Sequence, residues 1–201
     1  MENNDFKTVD DIQHHLDKQQ YIANRELSTS LFLSLKMNKP IFLEGEPGVG
    51  KTEIAKALAK IMDTKLIRLQ CYEGLDVHNS IYEWNYSRQI LQIRMMEVEG
   101  KSDQESISGE IFGSKFLIKR PLYQAIDFEG SSPPVLLIDE LDRADEEFEA
   151  FLLEILSDYQ ISIPEIGTIQ AESPPIVVIT SNRTREIHDA LKRRCLYHWI
   201  G

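Results

Sequence analysis

Hydrophobic positions along the chain change period several times, and each change marks an element. Val9, Ile12 and Leu16 fall on one helical face, with Thr8 and Asp11 spaced as a capping box. Leu27, Leu31, Phe32 and Leu35 repeat the pattern in a second helix. Asn38-Lys39-Pro40 ends it, because proline cannot continue a helix and restricts the residue before it. Residues 1–38 therefore read as an N-terminal helical segment. Ile41-Phe42-Leu43 is wholly apolar and predicts a buried strand. A Gly-rich stretch follows from Gly45 to Thr52, and then Ile54, Leu58, Ile61 and Met62 return to helical spacing. Leu66-Ile67-Arg68-Leu69 reads as a strand and residues 79–97 as a helix. Residues 98–109 are polar and carry Gly and Ser, so they read as a loop. Residues 110–132 are amphipathic and fit either strand or helix.

The second half is more regular. Val135-Leu136-Leu137-Ile138 is a continuous apolar run after Pro133-Pro134, as expected of a strand buried on both faces. Glu146 to Asp158 is a helix with Phe148, Phe151, Leu152, Ile155 and Leu156 on one stripe. Ile161–Pro164 and Thr168–Ala171 flank Glu165-Ile166-Gly167 as a hairpin. Ile176-Val177-Val178-Ile179 is another buried strand, Arg185–Arg194 a helix, and Leu196–Ile200 a last strand. Apolar strands alternating with helices predict an α/β fold, a parallel sheet sandwiched by helices, with residues 39–201 as its core. No internal repeat interrupts this order.

Composition narrows the function classes. The chain has 201 residues, 42% apolar and 27% charged, which suits one domain with a real core and excludes a disordered tail. No apolar run approaches the roughly 20 residues of a membrane span. The start, MENNDFKTVDD, is acidic and polar, unlike a secretory signal or transit peptide, so the expected location is cytoplasmic. A formal net charge of −11 argues against nucleic acid and anionic membranes as partners. Cys71 and Cys195 lie far apart and form no C-x-x-C, so they read as reduced thiols. His14, His15, His78, His188 and His198 have no metal-ligand spacing.

The sharpest chemical signal is Gly45-Glu46-Pro47-Gly48-Val49-Gly50-Lys51-Thr52, which fits G-x-x-x-x-G-K-[ST], with Glu53 next inside the helix. Its glycines let backbone N–H groups curl around a phosphate, and the following helix adds its positive end. Lys51 supplies a charge for β- and γ-phosphates, and the Thr52 hydroxyl suits Mg2+. Asp139-Glu140 closes the apolar run at 135–138. At the carboxyl end of a central strand, Asp139 would hold Mg2+ and Glu140 would polarise an attacking water. The plainer reading is a strand running into an acidic helix start. Asn182, just past the strand at 176–179, would orient that water or touch the γ-phosphate, or else simply turn the chain. Arg193 and Arg194 end a helix of about ten residues, about 15 Å long, which carries them away from the chain's own phosphate. Such an arginine reaches a neighbour's γ-phosphate in trans, Arg194 being the better placed of the two. The alternative is ordinary basic C-capping.

Strand and P-loop, Asp-Glu, Asn and Arg in this order resemble an AAA+ ATPase. The finer pattern is similar to the CoxD-like branch of the MoxR family. It is carried by GEPGVGKTEIAKALA, LIRLQCYEGLDVHNSIYEWNYSRQILQIR, LLIDELDRADEEFEAFLLEIL and IPEIGTIQAESPPIVVITSNRTREIHDALKRRC, over roughly residues 20–201. Tyr72-Glu73-Gly74-Leu75-Asp76 and Tyr82-Glu83-Trp84-Asn85-Tyr86 are its more specific parts. The resemblance implies a ring homo-oligomer, hexameric, that binds ATP and Mg2+, hydrolyses ATP and remodels a client protein. The implied client is a metalloenzyme, such as the molybdenum hydroxylase carbon monoxide dehydrogenase, receiving its cofactor. A von Willebrand factor A domain protein is the implied partner. Tyr21-Ile22 would border the adenine, or else form a core contact between helices.

Two expectations depart from a bare module of that kind. A helical lid would follow the core, yet Gly201 is reached as the last strand finishes. The lid is therefore expected to be absent, from a fragment or a natural truncation. Lys51 and Asp139 lie much further apart than a strand–helix–strand crossover needs, so an insertion is expected within about 85–127, near the second core helix. In the MoxR family such an insertion faces the pore or substrate. Trp84, Tyr86, Met95, Met96, Phe112 and Phe116 then offer a client-contact surface, or else pack the insertion onto the core. Rival functions are a non-hydrolysing nucleotide-binding module that switches a partner surface, a small-molecule kinase or GTPase, and a DNA-acting motor. Asn38-Lys39-Pro40 lacks the Asp of a guanine tetrad, Asp139-Glu140 suits water activation, and the charge disfavours DNA.

Overall fold

The computed structural model describes residues 6–98 and 111–201. Apart from Val98, the loop expected at 98–109 lies outside them. Two helices come first, α1 (Val9–Lys18) and α2 (Arg25–Met37). The capping box on α1 forms in both directions between Thr8 and Asp11. Asn38 ends α2 in a left-handed conformation, φ 51°. Then come β1 (Ile41–Gly45), α3 (Lys51–Ile61) and β2 (Leu66–Gln70).

Five strands form one parallel sheet in the order β2-β5-β8-β1-β9. The other three are β5 (Val135–Asp139), β8 (Ile176–Ser181) and β9 (Leu196–Ile200). Alternate residues of the central strands feed two separate cores, which is why these strands read as continuous apolar runs. Ile41, Leu43, Val135, Leu137 and Val178 pack with Ile54 and Leu58 of α3, Ile12 and Leu16 of α1, and Leu27 and Leu31 of α2. Phe42, Leu136, Ile138, Val177 and Ile179 pack on the opposite face with Phe148, Leu152 and Ile155. Those three belong to α7 (Glu146–Asp158), N-capped by Asp145, whose side chain accepts from Phe148 N–H. The N-terminal helices thus share a core with the sheet. The expected hairpin is β6 (Gln160–Ile163) paired antiparallel with β7 (Gly167–Gln170).

Two expected helices are corrected. Residues 79–97 split into α4 (Val77–Ile81), β3 (Tyr82–Trp84) and α5 (Tyr86–Val98). The strand β3 pairs with β4 (Leu117–Lys119), and α6 (Pro121–Ile126) follows. The pairing buries Trp84, whose ring meets Tyr82 and Phe112 edge-on at 5.9 and 5.5 Å. Of the six aromatic and Met residues singled out in this region, Trp84, Met96 and Phe116 are buried. Tyr86, Met95 and Phe112 are 64%, 52% and 40% exposed.

The helix expected at 185–194 shrinks to α8 (Asp189–Lys192). Glu149 of α7, 1% exposed, accepts from His188 N–H at 2.7 Å and from the Arg185 guanidinium. That side-chain anchor outbids helix propensity over residues 185–188. The His188 ring then caps the short helix by accepting from Ala190 N–H.

Gly45 pairs with Ile200, and a Cβ at Gly45 would lie 2.2 Å from the Ile200 carbonyl oxygen. We expect Gly45→Ala to lower unfolding free energy by about 1–3 kcal/mol in denaturant titration without nucleotide. An unchanged midpoint would mean that β9 yields at no cost.

Candidate active site

The strands of a parallel sheet all end on one edge, and ligand sites of such sheets lie there. Here β1 runs into the Gly-rich loop, and α3 begins at Lys51. Gly50 caps α3 with φ 94°, a left-handed conformation that strains any residue with a Cβ. As a glycine it offers no side-chain acceptor, which leaves first-turn N–H groups of α3 to an anion. Lys51 is buried, and its Nζ donates to the carbonyls of Gly45 and Glu46 at 2.7 and 2.8 Å. Burial lowers the pKa of its ammonium, partly offset by the negative charges of Asp142, Asp139, Glu46 and Glu140.

Asp139 ends β5 only 2% exposed. A buried carboxylate must be partnered, and three elements supply partners. Thr180 Oγ1 of β8 donates to Oδ1 at 2.6 Å. Thr52 Oγ1 of α3 donates to Oδ1 at 3.1 Å. Arg68 of β2 donates to Oδ2 from Nε at 3.0 Å and Nη2 at 2.6 Å. Glu140 differs: its backbone is left-handed, φ 56°, and its side chain is 37% exposed, with Arg143 Nε 3.5 Å from Oε2. The Glu140 N–H donates to Thr180 Oγ1 at 2.9 Å. Thr180 thus binds both the Asp139 carboxylate and the Glu140 backbone.

Pro47, Gly48, Gly50, Lys51, Thr52 and Glu53 line one cleft of about 290 Å³ together with Asp139, Glu140, Thr180 and Asn182. Gly45, Glu46 and Val49 complete the loop around it. An apolar-lined cavity of about 210 Å³, where Phe32, Met62, Pro133 and Pro175 meet, is bordered by no carboxylate or imidazole among the described residues.

The Tyr21 ring packs beside Gly50, where a Cβ would lie 3.4 Å from Tyr21 Cε2, and burial pushes the Tyr21 phenol up to about 12. Ile22 is 93% exposed. Arg193 and Arg194 do not line the cleft. Arg194 donates to the Leu153 carbonyl of α7, and Arg193 borders a separate groove with Glu146 and Arg185. Both cysteines are free, with burial pushing each thiol up to about 12, too high for a reactive thiolate.

The residues present fit a magnesium nucleotide. A Thr hydroxyl and a carboxylate are the hard oxygens magnesium takes, and it completes its shell from phosphates and water. Among the described residues no group of three or more His, Cys, Asp or Glu side chains is placed to cage a metal by itself.

Sequence reasoning missed Arg68, Thr180 and Asp142. Asp142 is 4% exposed and accepts from Asn182 N–H, Thr184 N–H and Thr184 Oγ1 at 3.1, 2.9 and 2.6 Å. Burial raises its pKa, but the Thr184 hydroxyl and the amides of Thr184 and Asn182 outweigh this and hold it below the usual carboxylate value. For Arg68 and Thr180 the available signal was a polar residue inside a largely apolar strand; Asp142, past the end of β5, carried none.

Comparison with known proteins agrees with this geometry. A Lon protease of Cytophaga hutchinsonii is 28% identical over 183 residues, 86% of this chain but 19% of that protein. A Staphylococcus aureus protein of uncharacterized function (strain USA300) is 27% identical over 165 residues, 79% of this chain and 54% of that protein. A crystal structure of a Cytophaga hutchinsonii protein assigned as an ATPase matches with a TM-score of 0.63 at 21% identity. It is matched over 99% of this chain and 51% of its own. A proline-to-glycine variant of Thermotoga maritima RuvB matches with a TM-score of 0.50 at 18% identity, over 97% and 48%. At those identities the structures share the fold of a P-loop AAA+ NTPase. This chain spans about half of each solved structure and of the Staphylococcus protein. The AAA domain (dynein-related subfamily) matches residues 40–195, from the residue before β1 to the residue before β9, so the chain belongs to the dynein-related AAA family.

Proposed function

We propose that this chain binds ATP with Mg2+ in the cleft and hydrolyses it as a subunit of a ring homo-oligomer, a hexamer, to remodel a client protein. What carries the reading is one observation. A buried lysine, a hydroxyl–carboxylate pair, a half-exposed carboxylate and an asparagine, drawn from distant parts of the chain, line a single cleft.

The environments of the two carboxylates divide their roles. Asp139 is buried at the strand end with the Thr52 hydroxyl against it, so these two hard oxygens are the pair that would hold magnesium. Glu140 is half-exposed, so it is the general base that takes a proton from the attacking water. Magnesium held there would neutralise charge on the phosphate oxygens. Lys51 and the first-turn amides of α3 bind the phosphates, Asn182 orients the water, and Tyr21 with Ile22 borders the base. Arg194, with Arg193 beside it, completes a neighbour's site, leaving its bond to the Leu153 carbonyl to do so.

The finer assignment follows the sequence resemblance. It is a MoxR-type, CoxD-like ATPase of the cytoplasm, chaperone-like, in maturation or metal-cofactor insertion of a molybdenum hydroxylase such as carbon monoxide dehydrogenase. A von Willebrand factor A domain protein is its partner. In support, Tyr86, Met95 and Phe112 are exposed and so accessible to a client. No helix among the described residues is long and apolar enough to cross a membrane.

Two experiments test this. Calorimetry with ATP and Mg2+ is expected to show binding lost in Lys51→Ala and kept in Glu140→Gln, whose turnover falls about 100-fold or more. Retained affinity in Lys51→Ala, or normal turnover in Glu140→Gln, contradicts the assignment. Arg194→Ala is expected to bind ATP without hydrolysing it, and mixing it with Glu140→Gln to restore part of the activity through composite sites. Absence of restoration removes Arg194 as a residue acting in trans.

A further inference from the structure

The turn that carries Glu140 and the loop that carries Asn182 are tied together twice, once in each direction. From β8, Thr180 reaches across to the Asp139 carboxylate and the Glu140 N–H. From the turn after Glu140, Asp142 reaches back and accepts from the N–H of Asn182 and from both donors of Thr184. Burying a carboxylate is costly unless its lone pairs are used, and Asp142 uses them on a three-residue span centred on the first loop residues after β8. That span begins at Asn182.

We propose that Asp142 is a positioning residue for hydrolysis, setting where Asn182 stands relative to Glu140 and the γ-phosphate. The inference rests on the roles given above to Asn182 and Glu140. A displacement of about 1 Å at a reacting centre costs on the order of 100-fold in rate, so a carboxylate that fixes the Asn182 backbone controls the rate without touching substrate.

The same loop contains its own control. Glu149 is another buried carboxylate, and it holds residues further along, through His188 N–H and the Arg185 side chain. If both carboxylates merely anchor the loop, removing either has the same consequence. If Asp142 positions Asn182, only its loss carries the signature of losing Asn182.

The experiment compares the full chain with Asp142→Asn, Thr184→Val, Thr184→Ser, Asn182→Ala, Glu149→Gln and the Asp142→Asn/Asn182→Ala double variant. The readouts are turnover at saturating ATP, half-saturating ATP, and calorimetric affinity for ADP and for a non-hydrolysable ATP analogue. Thr184 is exposed, so its variants are expected to fold even where Asp142→Asn does not. Expected is a fall in turnover of about tenfold or more in Asp142→Asn, with half-saturation changed by about twofold at most. Thr184→Val moves the same way by less, Thr184→Ser restores wild-type turnover, and the double variant is no slower than Asn182→Ala alone. The preference for the ATP analogue over ADP is lost in Asp142→Asn as in Asn182→Ala, and kept in Glu149→Gln.

The proposal is overturned if Asp142→Asn turns over like wild type, if its loss multiplies with that of Asn182→Ala, or if Glu149→Gln reproduces it. A wild type that hydrolyses nothing removes the hydrolysis reading alone, and the analogue-over-ADP preference then decides the role of Asp142. A wild type with neither turnover nor preference overturns both.

Discussion

The carboxylate of Asp139 sits at the end of a strand whose other residues are wholly apolar, and it cannot be left there unpartnered. Its partners organise the site. Thr52 comes from the helix after the phosphate loop, Thr180 from the neighbouring strand β8, and Arg68 from the edge strand β2 on the other side. Each partner lies on a different element, so satisfying one buried charge brings four parts of the chain to the same edge of the sheet. Glu44, 2% exposed at the end of β1, repeats the device with Ser181 of β8 and Tyr197 of β9 at 3.4 and 2.9 Å.

That arrangement separates scaffold from chemistry. Apolar alternation in β1, β5 and β8 glues helices to both faces and fixes the height at which the strands end. Past that height the residues turn polar, and the backbone takes left-handed conformations at Gly48, Gly50, Glu140 and Arg183. At Glu140 and Arg183, which carry a Cβ, such conformations cost free energy and persist where surrounding contacts over-determine them. Glu140 is held through its N–H by Thr180, and Arg183 N–H donates to Ser181 Oγ at 2.9 Å. Those turns leave Glu140 half-exposed beside a buried Asp139.

How much of this was legible in the sequence depended on how local each determinant is. The phosphate loop was, because its glycines, lysine and threonine act within one strand–loop–helix unit. The helix α7 was too, since its Asp145 cap and apolar stripe are both local. The helix expected over 79–97 failed because β3 exists only by pairing with residues 117–119, although Tyr82 and Trp84 carried a strand preference. The helix expected over 185–194 failed because a buried carboxylate from α7 captures His188 N–H. The roles of Arg68, Thr180 and Asp142 were illegible for the same reason: each is defined by a partner on another element, and single-sequence periodicity does not see partners. Arg194 shows the converse. Its motif was legible, yet its guanidinium meets the Leu153 carbonyl rather than the cleft, and a role in trans needs a second chain.

On the proposed function, this cleft hydrolyses ATP and a neighbouring copy completes it. The most direct measurement is the rate of ATP hydrolysis per chain as the concentration of this 201-residue chain is raised. Completion by a neighbour predicts a specific activity that climbs with concentration and then levels as subunits assemble. A specific activity independent of concentration would contradict completion by a neighbour. ATP bound but never hydrolysed at any concentration would contradict the assignment of Glu140 as a working base in this chain.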